Sequence, residues 1–525
     1  MLTLPHLLQS TFRTHGKRVA IHDAAGRLTW TQYAERIVRT AGMLRALGLA
    51  PGDRFATLCR NSVAHAELLL GGYWAGAVPV PLNFRLAGAE LAMMLDDAGC
   101  KLLLVDESLS YFVDQAQLAP WRDRAVCIGP AGCGGGLPST AELFEAARPV
   151  DPHEAQEHDD ALLLYTGGTT GRGKGVRLTH ANIVANALQL SRVMAPTEHD
   201  IYLHVSPMFH STDLKATVVS MFGGGHVYLK EFSPQGVLET IERYGVTIAS
   251  LVPAMIVRIL KEAEIERYDL SRLRLISYGT SPIDEQWLRM AMERFAGVGF
   301  HQCYGLTETS PYVAILDETA HHLALQGRPE LLRAAGRVLP ATRVRLVDDQ
   351  GQDVPPGQPG ELLVSGPQVS RGYLGLPEEN AAAFRGEWFH TGDVGRLDDD
   401  GYLYILDRKK EMVITGGENV YTREVESVLQ RYPGVAEAAV LGVPDVKYGE
   451  ALLAVLSMAG AAPPEPADVI AYCRDHLGGY KIPRRFMFVD ALPRSPMGKV
   501  KKTELREAWL ARETLTQDGP SCARN

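Results

Sequence analysis

Short apolar runs alternate with longer amphipathic ones along this chain, and that alternation limits the folds open to it more than any other feature. Residues 54–60, 77–83 and 101–106 are short apolar stretches, whereas 64–74 and 90–98 repeat their apolar residues at helical spacing. Strands that read as continuous apolar runs are buried on both faces, so helices must cover a largely parallel sheet. A second stretch of the same texture spans 161–327 and includes the apolar runs 246–257 and 273–279. Between 341 and 405 the texture changes to short strands set off by turns, at 342–352, 360–366 and 401–407, which predicts a β-rich subdomain.

After Asp407 the pattern changes again. A helix is expected at 424–429, strands at 436–443 and 450–458, and helices at 467–477 and 500–511, together a small α+β unit. The charged cluster at 407–411 lies between two apolar runs and marks the boundary. At roughly 150 residues per domain, 525 residues suggest three or four domains. The pattern gathers them into two pieces of α/β class. Residues 1–407 form a large N-terminal region of layered α/β subdomains plus the β-rich one, and residues 408–525 a small α+β C-terminal domain. The glycine-rich segment 129–136 is expected to be a surface loop and 513–525 to fray.

Charge excludes one class of partner. There are 53 Lys and Arg against 62 Asp and Glu, a net charge of −9, so the chain lacks the global basic field that gathers nucleic acid. An anionic ligand must instead be met by locally placed donors. The seven cysteines are scattered and never spaced Cys-x-x-Cys, which reads as reduced thiols in a cytoplasmic protein. No basic segment precedes an apolar run at the start, and no stretch of about 18 apolar residues occurs, so neither a signal peptide nor a membrane span is expected.

The most informative motif follows the apolar run 161–165. Residues 165–176 read Tyr165, Thr166, Gly167, Gly168, Thr169, Thr170, Gly171, Arg172, Gly173, Lys174, Gly175, Val176. Glycines let successive backbone N–H groups turn inward around a polyphosphate, the threonine hydroxyls add donors, and Lys174 adds a point charge. From Gly168 to Lys174 the segment nearly matches a Walker loop, but Gly175 stands where a Ser or Thr should hold magnesium, which disfavours a P-loop NTPase. A glycine-rich hairpin loop without a ligand is the alternative.

This segment resembles the phosphate loop of the adenylate-forming superfamily, which includes acyl- and aryl-CoA ligases, luciferases and peptide-synthetase adenylation domains. It departs from those loops at Gly167, usually Ser, and at Gly173, usually Pro. Further resembling motifs follow in order. In 304–308 the resemblance places the ring of Tyr304 against adenine, Thr307 near the α-phosphate and Glu308 on Mg²⁺. It places Asp393 and Arg408 on the ribose, Lys410 at the hinge of a mobile small domain, and Lys499 between the substrate carboxylate and the α-phosphate. Gly416 and Gly417 would approach a pantetheine arm, and Gly279, Thr280, Ser281, Gln302 and Cys303 would border the adenine. The acid pocket is expected around Phe209, His210, Asp213, Lys215, Met255, Tyr278 and Gly279, with His210 as a gate.

Each of these residues has a plainer reading. Glu308 is also a helix-start charge, His210 a structural histidine, and Lys499, Lys501 and Lys502 a solvated helix start. Asp213 and Lys215, two apart, do not face each other, and one is free to point to solvent. The implied chemistry has two steps and uses ATP, Mg²⁺ and CoA. A carboxylate attacks the α-phosphorus of ATP with loss of pyrophosphate, and a thiol then takes the acyl group with loss of AMP. Lys174, Glu308, Thr307 and Lys499 position reactants and neutralise charge, with no nucleophilic Ser or Cys.

The Met, Phe and Tyr content of the pocket favours an apolar or aromatic acid. Transfer to a carrier-protein pantetheine, a luciferase-like oxygenase, and a nucleotide-binding sensor with weakened catalysis remain open. No fused carrier domain is expected, and a homodimer is one assembly open to the chain.

Overall fold

The computed structural model describes residues 2–517 apart from 167–172, 282, 416–417, 446–447, 461 and 496–498. The chain divides into two compact units. The first comprises residues 1–344, 363–391 and 400–403, and the second 345–362, 392–399 and 404–525. The chain passes from one to the other within the strands Arg343–Val347, Gly360–Ser365, Trp388–Leu397 and Tyr402–Arg408, the β-rich stretch expected from the sequence.

In the first unit six parallel strands lie in the order Gly299–Gly305, Leu275–Gly279, Ile248–Leu251, Ile201–His204, Gly225–Tyr228 and Val19–Asp23. Antiparallel strands extend both edges, Tyr312–Leu316 on one and Gly26–Thr29 on the other. A second, wholly parallel sheet runs Val78–Pro81, Arg54–Leu58, Leu102–Asp106, Ala125–Ile128. The apolar runs are buried as their texture requires: all five residues of Leu102–Asp106 and all four of Ile248–Leu251 lie inside. The apolar run 246–257 is a strand followed by a helix, Pro253–Glu262, because Pro253 fits only the first turn of a helix.

The helix His180–Met194 shows how sequence sets local structure and packing together. Thr179 and Asn182 form a capping box that starts it. Asn182, Asn186 and Gln189 then lie on one face at helical spacing and bind backbone and side chains far along the chain. The Asn182 amide donates to Pro367 O and Val369 O, both at 2.8 Å, and that of Asn186 to Tyr312 O at 2.9 Å.

Two expectations are corrected here. Cys127 and Cys133 form a disulfide, with Cα atoms 6.2 Å apart, so the cysteines are not all reduced thiols; Cys59, Cys100, Cys303 and Cys473 are free and buried. The pairing depends on the glycine loop. Gly134 has φ 65°, and a Cβ there would sit 2.9 Å from that of Cys127, so only glycine lets the loop fold back this closely. Of the segment 513–525 expected to fray, residues 513–517 instead continue the last helix, Lys502–Gln517, and 518–525 lie outside the described residues.

The second unit contains a sheet of Glu418–Val420, Val413–Thr415, Gly449–Met458 and Val435–Asp445, with Arg485–Val489 parallel to Gly449–Met458. Helices Thr422–Leu429 and Pro466–Arg474 bury Val425, Leu429, Val469 and Cys473 against Val440, Leu452 and Leu456. Among the described residues no helix is long and apolar enough to cross a membrane.

Candidate active site

The glycine-rich loop connects two antiparallel strands, Asp160–Thr166 and Lys174–Thr179, with Thr166 opposite Lys174. A Walker loop joins a strand to a helix, so this topology excludes one. Gly167, Gly168, Thr169, Thr170 and Gly171 lie outside the described residues. The strands that hold the loop are firmly placed. The Tyr165 hydroxyl donates to Asp97 Oδ2 at 2.7 Å, and burial together with that carboxylate raises its pKa.

Residues 371–374 pair along the outer side of Lys174–Thr179, through Arg177 N–H to Gly372 O at 2.9 Å and Leu374 N–H to Gly175 O at 2.8 Å. This brings Tyr373 beside the hairpin. The Lys174 ammonium lies 4.9 Å from the centre of the Tyr373 ring, and the Tyr373 hydroxyl donates to Glu308 Oε1 at 2.8 Å. Glu308 sits in the short turn Thr307–Thr309 at the end of Gly299–Gly305 and is buried, 8% exposed. One aromatic residue thus joins the expected phosphate lysine to the expected magnesium carboxylate. Its companion Thr307 has its hydroxyl 3.3 Å from that of Ser211.

Ser211 opens the 3₁₀ turn Ser211–Lys215, which is followed by the helix Ala216–Met221. Asn61 fixes the approach to this turn: its amide donates to His204 O and Ser206 O at 3.2 and 2.9 Å and accepts from Met208 N at 3.0 Å. Asp213 and Lys215 point to different sides, neither to solvent. Asp213 Oδ1 is 2.8 Å from His204 Nδ1, His204 Nε2 is 3.0 Å from His226 Nδ1, and His226 Nε2 is 2.9 Å from Ser220 Oγ. This buried chain borders a cavity enclosing about 780 Å³ of space not filled by protein, its mouth included, which His210 and Asp213 line with Leu4, Leu69 and Leu164. Burial holds His226 well below its ordinary pKa.

Lys215 instead lines a smaller cavity, enclosing about 250 Å³ of space not filled by protein with its mouth included, together with Ser250, Gly279, Thr280, Cys303 and Tyr312. Gly279 is required there, since a Cβ would lie 2.3 Å from Cys303 O. Phe209, Met255 and Tyr278 line neither of these two cavities. Phe209 packs edge-on against Phe84, and the Tyr278 hydroxyl is bound 2.8 Å from Nε2 of His321 on the helix Glu318–Leu325. Gln302, Cys303 and Tyr304 lie in the strand beside Leu275–Gly279, with Gln302 opposite Tyr278 and Cys303 opposite Gly279, while Thr280 and Ser281 are exposed just beyond it.

In the second unit Arg408 Nε lies 2.6 Å from Asp393 Oδ1, so the two expected ribose residues meet. Lys410 is exposed in the turn after Tyr402–Arg408. Asp407 is fully buried; its Oδ2 accepts the backbone N–H and, at 2.9 Å, the hydroxyl of Thr422. Lys502 is not a solvated helix start: its ammonium reaches Thr422 Oγ1, Glu426 and Glu411 at 2.9, 2.8 and 3.1 Å. Lys501 pairs with Glu504 at 2.6 Å. Lys499 is exposed in a loop closed by Ser495 N–H to Lys499 O at 2.7 Å. Gly416 and Gly417, between the paired strands Val413–Thr415 and Glu418–Val420, lie outside the described residues.

The family models for "AMP-binding enzyme" and "AMP-binding enzyme C-terminal domain" match residues 8–374 and 424–499. The chain belongs to the AMP-binding enzyme family. A feruloyl-CoA synthase of Amycolatopsis sp is 37% identical to this AMP-binding enzyme over 93% of the chain and 96% of that protein. A fatty acid–[acyl-carrier-protein] ligase, ScoC, of Streptomyces coeruleorubidus is 36% identical over 92% of each. The solved o-succinylbenzoate CoA synthetase of Bacillus subtilis, in complex with its acyl-adenylate intermediate, superposes with a TM-score of 0.83 at 31% identity, covering 96% of this chain and 98% of that one.

Tyr373, Asn61 and Asn182 were not singled out from the sequence of this AMP-binding enzyme. Asn182 holds the carbonyls of Pro367 and Val369, a few residues before Tyr373. Tyr373→Phe is expected to leave Glu308 Oε1 without its donor at unchanged shape. Urea denaturation should show a loss of about 1–3 kcal/mol, the cost of a buried acceptor left unpaired; an unchanged midpoint would contradict the contact.

Proposed function

We propose that this AMP-binding enzyme is an ATP-dependent carboxylic acid–CoA ligase that forms an acyl adenylate with release of pyrophosphate and then a CoA thioester with release of AMP. The observation that carries the reading is the line from Lys174 through Tyr373 to Glu308, with Thr307 beside it. It sets a cation for phosphate and a buried carboxylate for a metal at adjoining positions. Glu308 fits Mg²⁺, which commonly takes one or two protein carboxylates and fills its remaining positions with phosphate and water. When bound, the ion neutralises charge on the leaving pyrophosphate. Tyr373 donates to one Glu308 oxygen and so orients the other.

In this reading the hairpin loop 167–172 and Lys174 cradle the phosphates, Asp393 and Arg408 hold the ribose, and Gly279 to Ser281 border the adenine. Lys499 meets the charge developing between carboxylate and α-phosphate. Small-domain rotation about Lys410, between pieces 1–407 and 408–525, brings residues 416–417 to the adenylate for the thiol step. The acid is apolar or aromatic, the setting is cytoplasmic, where ATP and CoA are abundant, and a homodimer is the assembly to look for by light scattering.

Acid-dependent ATP–pyrophosphate exchange over benzoates, cinnamates and fatty acids of graded length tests the first step. Exchange with at least one acid, followed by a thioester with free CoA, is the expected result. Because ScoC is named for a carrier-protein acceptor, holo carrier protein belongs in the second assay. A thioester formed only on that protein would move this chain to the carrier-loading reading, and ATP binding without exchange to the sensor reading.

A further inference from the structure

Lys215 is 1% exposed and has no carboxylate beside it among the described residues. Its ammonium donates to Ser277 Oγ at 2.6 Å, lies 3.5 Å from both Ser250 Oγ and Cys303 Sγ, and sits 4.8 Å from the centre of the Tyr312 ring. The nearest acidic neighbour in the chain, Asp213, faces the other side of the turn and is taken by His204. Burial raises the pKa of Cys303, against the pull of Lys215. Burial likewise lowers that of Lys215. A buried amino group without an anionic partner is costly to desolvate and is rarely kept for packing alone.

Its position gives the lysine a use. The strand Leu275–Gly279 carries Ser277, 1% exposed beside Lys215, and ends at Gly279, which lines the same small cavity as Lys215 together with the exposed Thr280. The same 3₁₀ turn that places Ser211 beside Thr307 carries Lys215 four residues later. At a rise of about 2 Å per residue the backbone positions of Ser211 and Lys215 lie roughly 8 Å apart along the turn, a span of the order of a para-substituted aromatic acid.

We infer that Lys215 selects acids carrying a hydrogen-bond-accepting oxygen, a phenolic hydroxyl or a second carboxylate, at the end remote from the reacting carboxylate. The inference rests on the ligase reading, with the reacting carboxylate near Thr307. The remote oxygen accepts a hydrogen bond from the Lys215 side chain, a carboxylate supplying the missing counter-charge as well, and Ser250 and Ser277 are the other hydroxyls beside it.

The test compares cinnamates bearing methyl, hydroxyl or carboxylate at the para position, on wild type and on Lys215→Met. In pyrophosphate exchange the wild type is expected to favour an oxygen-bearing acid by roughly 10- to 100-fold in kcat/KM, the worth of one charge-assisted hydrogen bond. The methionine variant should lose that preference, and the hydroxyl and carboxylate arms tell the two sources of oxygen apart. Equal use of all three acids by wild type, or an unchanged ratio in the variant, overturns the inference. If no acid supports exchange, the ligase reading fails instead. Calorimetric binding of the same acids then decides on Lys215: tighter binding of an oxygen-bearing acid supports it, and equal or absent binding overturns it.

Discussion

Lys499→Ala is expected to depress acid-dependent pyrophosphate exchange by roughly 10²–10³-fold while leaving thioester formation from a supplied acyl adenylate within a few-fold of wild type. The magnitude is that of removing one donor aimed at charge that develops in a transition state. The neighbouring lysines have structural partners. Lys502 is consumed in holding Thr422, Glu426 and Glu411 together, and although burial alone would lower its pKa, Glu426 and Glu411 raise it. Lys501 pairs with Glu504 at the helix start. Lys499 is exposed, in a loop that its own carbonyl and Ser495 close at both ends. Rapid-quench measurement of the two half-reactions checks the prediction. Equal losses in both would mean that the loop supports the domain as a whole and that Lys499 has no part confined to adenylation.

Lys174 was singled out in the sequence by its glycine-rich run and Glu308 by the resemblance of residues 304–308 to a family motif. Tyr373 was not. Its place between them comes from pairing of residues 371–374 with Lys174–Thr179, nearly two hundred positions earlier, and from the Asn182 amide that holds the preceding segment. The alternating apolar runs announced part of the strands and helices of both units, but not, for example, Arg485–Val489 or His180–Met194, and periodicity is silent on which strands are neighbours. Ile201–His204 lies between Gly225–Tyr228 and Ile248–Leu251, an order that only packing decides. The disulfide was hidden for a related reason: a separation of six residues closes only because the glycine loop turns through positive φ. Asp213 and Lys215 were recognised as polar residues in an apolar stretch. Their opposite directions, one to a paired histidine and one to an uncompensated pocket, emerge from the 3₁₀ turn and from Ser277 on the neighbouring strand.

Glu308→Gln isolates charge from shape at the proposed metal position. The amide oxygen still accepts from the Tyr373 hydroxyl, and the backbone bond from Ser370 N–H to the residue-308 carbonyl, 2.8 Å, does not involve the side chain. Thermal stability should therefore stay close to wild type, and replacing a buried carboxylate by a neutral group removes a desolvation cost that the protein otherwise bears. Catalysis should behave differently. If Glu308 holds Mg²⁺ against the phosphates, loss of its charge weakens the ion most where charge is greatest, on the departing pyrophosphate, and kcat for exchange is expected to fall roughly 10²–10³-fold. Half-saturation by Mg²⁺ should move to higher concentration in the same variant. Tyr373→Phe supplies the contrast, since it spares the carboxylate charge and removes only its orienting donor. A smaller loss in exchange with a larger loss in stability is expected there. Should Glu308→Gln retain wild-type exchange and an unchanged Mg²⁺ requirement while Tyr373→Phe unfolds early, Glu308 is a structural carboxylate and the metal must be held elsewhere.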